Sequence, residues 1–157
     1  MTSLGFLQLF LVLHITGFTM MAGTVLADFT VFRRVSRWLV ADRQKALTIL
    51  EGSAGLVFLI SAGALLLITT GIGMVIVFKG AVASMLWFKI KMVLVLLVVL
   101  NGAVLARRSM LKLRGTLPLN AAETNGQVEG LKRRLNYIYI TQLILFLTIF
   151  ILSVLKF

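Results

Sequence analysis

The sequence predicts an all-α integral membrane protein, a bundle of four transmembrane helices in one domain. Three observations lead there. Four apolar stretches, at about residues 4–26, 47–72, 85–106 and 137–155, are each near the ~20 residues that a helix needs to cross the hydrocarbon core. Hydrophobic residues make up 60% of the 157, and the mean hydropathy is +1.05, both above the range of water-soluble domains. Twelve of the sixteen Lys and Arg residues lie between the first and second stretches or between the third and fourth. The positive-inside rule then puts both basic loops in the cytoplasm and both termini outside. The net charge of +11 is thereby explained by topology and by attraction to anionic lipid headgroups, not by nucleic-acid binding.

The first stretch differs from a signal peptide. Thr24-Val25-Leu26-Ala27 would pass as a loose cleavage site, but Met1-Thr2-Ser3 carries no cation and the positive charge follows the stretch. It is also longer than a signal's usual 7–15 apolar residues. The expectation is a retained helix with a small-residue stripe at Thr19, Gly23 and Ala27. Beyond it, Val31, Phe32, Val35 and Leu39 recur at helical spacing, so the helix continues or lies in the interface.

The second stretch carries small residues at Gly52, Gly55, Ala62 and Gly63, which favour close helix packing in lipid. It is expected to end near Thr70-Gly71-Ile72-Gly73, where two glycines weaken a helix. Residues 74–84 then form an apolar outer connection. The third stretch must begin before Lys91, because residues 92–106 alone are too few to span. Residues 107–136 form the only long polar segment. It breaks at Leu117-Pro118, and Asn120-Ala121-Ala122-Glu123 has the spacing of a capping box that starts a new helix. Gly126 and Gly130 are soft points on the way into the fourth stretch.

Composition excludes much chemistry. Without cysteine there are no disulfides, thiol redox steps or thiolate metal sites. A single histidine excludes a bis-histidine haem within one chain and a zinc site built from several histidines. No metal site, Gly-rich phosphate loop or catalytic carboxylate pair is expected.

Ionisable groups within spans are costly and are therefore the candidates for function. His14 lies near the middle of the first stretch, about 15 Å from its outer end at 1.5 Å per residue. Met21, seven residues on, shares its face. Together they suit haem or metal ligation or proton relay; a neutral histidine bonded to a neighbouring helix is the structural alternative. Lys91 sits one to two turns below the outer surface and points away from Lys89. It either snorkels outward or turns in as a cation or amine ligand. Glu51, Asn101 and Gln142 are expected to face the bundle interior in its cytoplasmic half, with Asp28 closing the first span. They form either a structural network with nearby arginines or a polar binding site.

Trp87-Phe88-Lys89-Ile90-Lys91-Met92, continuing to Asn101-Gly102, is similar to the Trp-x-His-x-Lys-Leu and later His-Gly of the HemJ-type protoporphyrinogen oxidase and CopD-like family of small membrane proteins. Leu13-His14-Ile15 with Ala22-Gly23 resembles its Leu-His-Ile and Ala-Gly. Arg133-Arg134-Leu135-Asn136 resembles its Arg-x-Phe-Asn-Glu, and Val154-Leu155-Lys156 its closing Val-Lys-Pro. Lys89 and Asn101 stand where the family has His, Tyr137 stands where it has Glu, and no Pro-Arg follows the first span at Ala27-Asp28. The resemblance implies a compact four-helix fold with haem b or another tetrapyrrole near His14 and Lys91, in the plasma membrane of a bacterium. Two functions follow as expectations: a tetrapyrrole-binding or redox-related membrane protein, and a non-catalytic transport or accessory component. Self-association or membership of a membrane complex is compatible with either.

Overall fold

The computed structural model describes residues 3–117 and 121–155 and is all-α. Helices α1 (Ser3–Ala41), α2 (Arg43–Gly52), α3 (Ala54–Val77), α4 (Leu86–Val99), α5 (Arg107–Thr116) and α6 (Ala121–Leu155) follow in order. A π-helical segment, Leu100–Ala106, joins α4 to α5 without a break in the rod. Four helical units, Leu4–Leu39, Arg43–Val77, Leu86–Thr116 and Thr124–Leu155, are long and apolar enough to cross a membrane.

The helices outrun the apolar stretches. α1 has 39 residues, about 58 Å at 1.5 Å per residue, nearly twice a ~30 Å hydrocarbon core. Its surplus carries Phe32, Val35 and Leu39, all buried. They pack with Ala46 and Leu50 of α2, Leu113 of α5, and Val128 and Leu135 of α6. Asp42 sets the turn between α1 and α2, its carboxylate capping α2 by accepting from the Lys45 amide at 3.0 Å. This basic end holds the tightest core of the molecule. In the apolar stretches, by contrast, Phe58, Ile76, Leu86, Ile144 and Leu147 remain exposed on the outer faces. Water drives apolar burial and lipid does not, so the two regions pack by different rules.

α3 packs along α1, and α4 along α6, while α1 and α6 touch each other. The α1–α3 crossing is the closest. A Cβ on Gly17 would lie 3.1 Å from the Gly63 carbonyl oxygen, and one on Gly63 would lie 3.0 Å from the Gly17 oxygen and the Met21 nitrogen. The expected stripe of Thr19, Gly23 and Ala27 instead faces outward, and a Cβ on Gly23 would meet nothing within 4 Å. The physical reason is phase. Phe10, His14, Gly17 and Met21 form the face toward α3, and residue 19 lies 200° around the helix from residue 17. Gly52 and Gly55 are likewise open.

α3 does not end at Thr70-Gly71-Ile72-Gly73 but runs on to Val77. Its two glycines make room for rings of α1: a Cβ on Gly71 would sit 3.5 Å from His14 Cε1, and one on Gly73 would sit 2.9 Å from Phe10 Cζ. The chain reverses at Lys79 and Gly80, both with positive φ, and enters α4 through a short 3-10 turn, Ala81–Ser84. The expected capping box lies on Asn120 and the Glu123 side chain, outside the described residues.

Candidate functional site

Among the described residues, three interhelical polar stations run along the spans, beside the Arg43 bonds to Thr124 and Asn125 that join α2 to α6. The one farthest from the basic loops contains His14, whose Nδ1 lies 2.9 Å from Thr70 Oγ1. The Thr70 hydroxyl has one hydrogen, and Leu66 O at 2.6 Å takes it. Thr70 Oγ1 therefore accepts from His14 Nδ1–H, which leaves the lone pair on Nε2. Lys91 is half-buried, in contrast to exposed Lys89. It lies within electrostatic reach of the His14 ring. Helix register agrees. Asp28 meets Tyr139 and Phe18 meets Phe146 and Phe150 between α1 and α6, while Asn101 meets Ile138 and Gln142 between α4 and α6. Stepping along each helix from these pairs brings His14 and Lys91 to the same level, within about a turn, beside the last turns of α6. Both lie toward the end of the bundle away from the basic loops.

Met21 does not join them. It lies two turns, about 10.5 Å, along α1 from His14, buried in the crossing with Gly63. His14 and Lys91 are the two nitrogen-bearing side chains that helix register brings to one level here. Among the described residues, no group of three or more His, Asp or Glu converges as a metal site.

The middle station is built on the π-helical segment. Asn101 Nδ2 donates to Gln142 Oε1 at 2.7 Å and to the Ile138 carbonyl at 2.9 Å, and Gln142 Nε2 donates to the Val98 carbonyl at 3.2 Å. Both amides are buried. The wider turn of a π-helix loosens the i→i−4 ladder, and the side chain of α6 bonds a carbonyl beside that turn. Gly102 lets it come close: a Cβ there would meet Gln142 Nε2 at 3.4 Å.

The inner station joins α1, α2, α5 and α6. Tyr139 Oη donates to Asp28 Oδ2 at 2.6 Å, with the Phe29 and Phe32 rings packed on Tyr139 at 5.6 and 5.3 Å. Arg114 lies within electrostatic reach of both and donates from Nη2 to the Leu50 carbonyl at 2.9 Å. Ser109 Oγ and Arg114 Nε are buried without a hydrogen-bond partner. Glu51 stays out of this network. It is exposed at the end of α2, correcting the expected inward orientation. The chain breaks at Ser53, so Glu51 does not continue the face of Ala62. Residue 51 is turned 100° from buried Leu50 and lies outside the 46–50 face.

Comparisons with protein-family models, curated proteins and solved structures find no match to this chain. The site therefore rests on its own geometry. Tyr139, Arg114 and Thr70 were absent from the sequence-derived candidates. Tyr139 had a signal, since it is seven residues before Phe146 on one face. Thr70 had none, because hydroxyls at the four-residue spacing usually bond their own helix, as Thr16, Thr19 and Thr30 do.

Proposed function

We propose that this chain is a multi-pass protein of a bacterial plasma membrane that binds a tetrapyrrole at its outer end, where His14 would hold it with Lys91 beside it. The observation that carries the reading is the Nδ1 contact with Thr70, which, with the Thr70 hydroxyl hydrogen on Leu66 O, supports the Nδ1–H tautomer and Nε2 as the donor. Metal-binding histidines are oriented in this way through their other ring nitrogen. The resemblance of Leu13-His14-Ile15 and Trp87–Met92 to the HemJ and CopD-like family supports the same choice. A haem held here would supply one-electron redox chemistry. The chain's own part is to hold the ring of His14 and to set a cation or neutral amine at Lys91. The proposal is binding rather than catalysis. Among the described residues, the carboxylates Asp28, Asp42, Glu51 and Glu129 fall on the basic-loop side, about 20 Å or more along the helices from His14, so none of them forms an acid–base pair with it. Both termini face outward in this reading, with the basic loops in the cytoplasm.

A second reading, a non-catalytic transport or accessory component, is favoured by the pairing of the polar groups across helices. His14–Thr70, Asn101–Gln142 and Asp28–Tyr139 each satisfy one another. One experiment separates the two. The protein is purified in mild detergent and its visible spectrum recorded before and after dithionite. The tetrapyrrole reading expects a Soret band with a reducible α-band, lost in His14→Ala and weakened or shifted in Lys91→Met. A chain that stays colourless after expression with added haem leaves the accessory reading.

A further inference from the structure

At the basic end, a recess of about 700 Å³ opens between α1 and α6. From α1 come Phe32, Arg33, Ser36 and Arg37; from α6 come Glu129, Lys132, Arg133 and Asn136. The α6 set has helical spacing of three, four and seven residues, so it is one face. The α1 set spans a single turn opposite it. Four cations thus converge from two helices onto one cavity. Its only carboxylate, Glu129, is engaged by Lys132 at 3.3 Å. The recess therefore carries a formal charge of +3 at the border of the apolar span.

What lies beneath it identifies the ligand. Seven residues are nearly two whole turns, so positions at that spacing share a face. On α6, Arg133 heads the series Ile140, Leu147 and Val154, all exposed. On α1, Arg33 heads the series Leu26, Thr19 and Val12, also exposed. A strongly basic recess thus caps two exposed, mostly apolar tracks, with Leu26 and Ile140 first below the arginines. A soluble anion would use the recess alone; a phospholipid uses both.

We propose that the recess between α1 and α6 is a specific site for an anionic phospholipid. Its phosphate sits among Arg33, Arg37 and Arg133, and its acyl chains descend one leaflet, past Leu26 toward Thr19 on α1 and past Ile140 toward Leu147 on α6. Arginine suits the task, because its planar fork bonds phosphate oxygens in pairs. The site is independent of any tetrapyrrole.

Native mass spectrometry of the full chain, released from detergent with added phosphatidylglycerol or with phosphatidylcholine of the same chain length, tests it. One molecule of phosphatidylglycerol should remain bound at a lipid concentration where phosphatidylcholine does not. The double substitution Arg33→Gln and Arg133→Gln should weaken retention at least tenfold. Arg34→Gln with Arg108→Gln removes the same charge from exposed positions outside the recess, and should retain the lipid. Equal loss in both double variants would mean diffuse attraction and would overturn the site. Displacement of the lipid by equimolar glycerol phosphate would show a soluble-anion recess and overturn it too. If the first double variant fails to fold, the wild-type comparison still decides: equal retention of the two lipids refutes the proposal.

Discussion

Asn101 and Gln142 show how single side chains hold this bundle, because each amide is the other's partner and both are buried. Replacing one strands the other, at a cost of about 1–2 kcal/mol. Asn101→Leu and Gln142→Leu should each lose about that much, and the double variant should lose clearly less than their sum. Detergent-micelle unfolding with sodium dodecyl sulfate, followed by helical circular dichroism, measures it; strictly additive losses would show that the pair is not a unit. Tyr139 allows a second test. Tyr139→Phe leaves the Asp28 carboxylate short of its donor and should cost about 1–3 kcal/mol, whereas Tyr137→Phe, at an exposed position, should stay within about 0.5 kcal/mol. If the two phenylalanine variants unfold alike, the Asp28 bond contributes nothing. Much at this scale was legible. His14, Asp28, Asn101 and Gln142 announce themselves as polar residues in apolar surroundings. Glu51 was misread because the chain breaks at Ser53, so its phase does not carry over to the face of Ala62.

At the scale of the element, the α1–α3 crossing depends on two residues without side chains. Gly17 and Gly63 each bring the opposite backbone within 3.0–3.1 Å of where a Cβ would stand. Gly17→Leu or Gly63→Leu must therefore push the helices apart, and overpacking of this kind costs about 1–3 kcal/mol. Gly23→Leu, in open surroundings, should be tolerated. Spin labels at Thr16 and Leu65, both exposed, report the separation by dipolar coupling; an unchanged distance in Gly17→Leu would sink the crossing as drawn. Sequence alone could not choose between the stripes, since both have the small residues that close packing uses. The long reach of α1 was legible through Val31, Phe32, Val35 and Leu39. The π-helical segment was not: nothing in Leu100–Ala106 marks an expanded turn, which arises from what α6 offers opposite it.

For the whole molecule, the position of the best-packed core follows from where the water is. Phe32, Leu39, Leu50, Leu113 and Leu135 are among the largest fully buried side chains, and they lie among the basic residues that border the apolar stretches. A core of this kind needs water to drive it. Arg33, Arg34 and Arg37, then Arg107 and Arg108, then Lys132, Arg133 and Arg134 surround it at matching heights on α1, α5 and α6, as the Asp28–Tyr139 register requires. The opposite end has Lys79, Lys89 and Lys91 in its described part, and only a short reversal through Lys79 and Gly80. Lys and Arg near span ends resist translocation, so the proposed topology puts the end bearing twelve cations in the cytoplasm. Single cysteines at Ser84, in the short reversal, and at Gln44, on α2, provide the test, since both positions are exposed and the chain has no cysteine of its own. A membrane-impermeant maleimide applied to intact cells should label Ser84→Cys and leave Gln44→Cys unlabelled until the membrane is permeabilised. Labelling of Gln44→Cys alone in intact cells would invert the protein. His14 and Lys91 would then lie toward the cytoplasm, and the lipid recess would open to the outer leaflet.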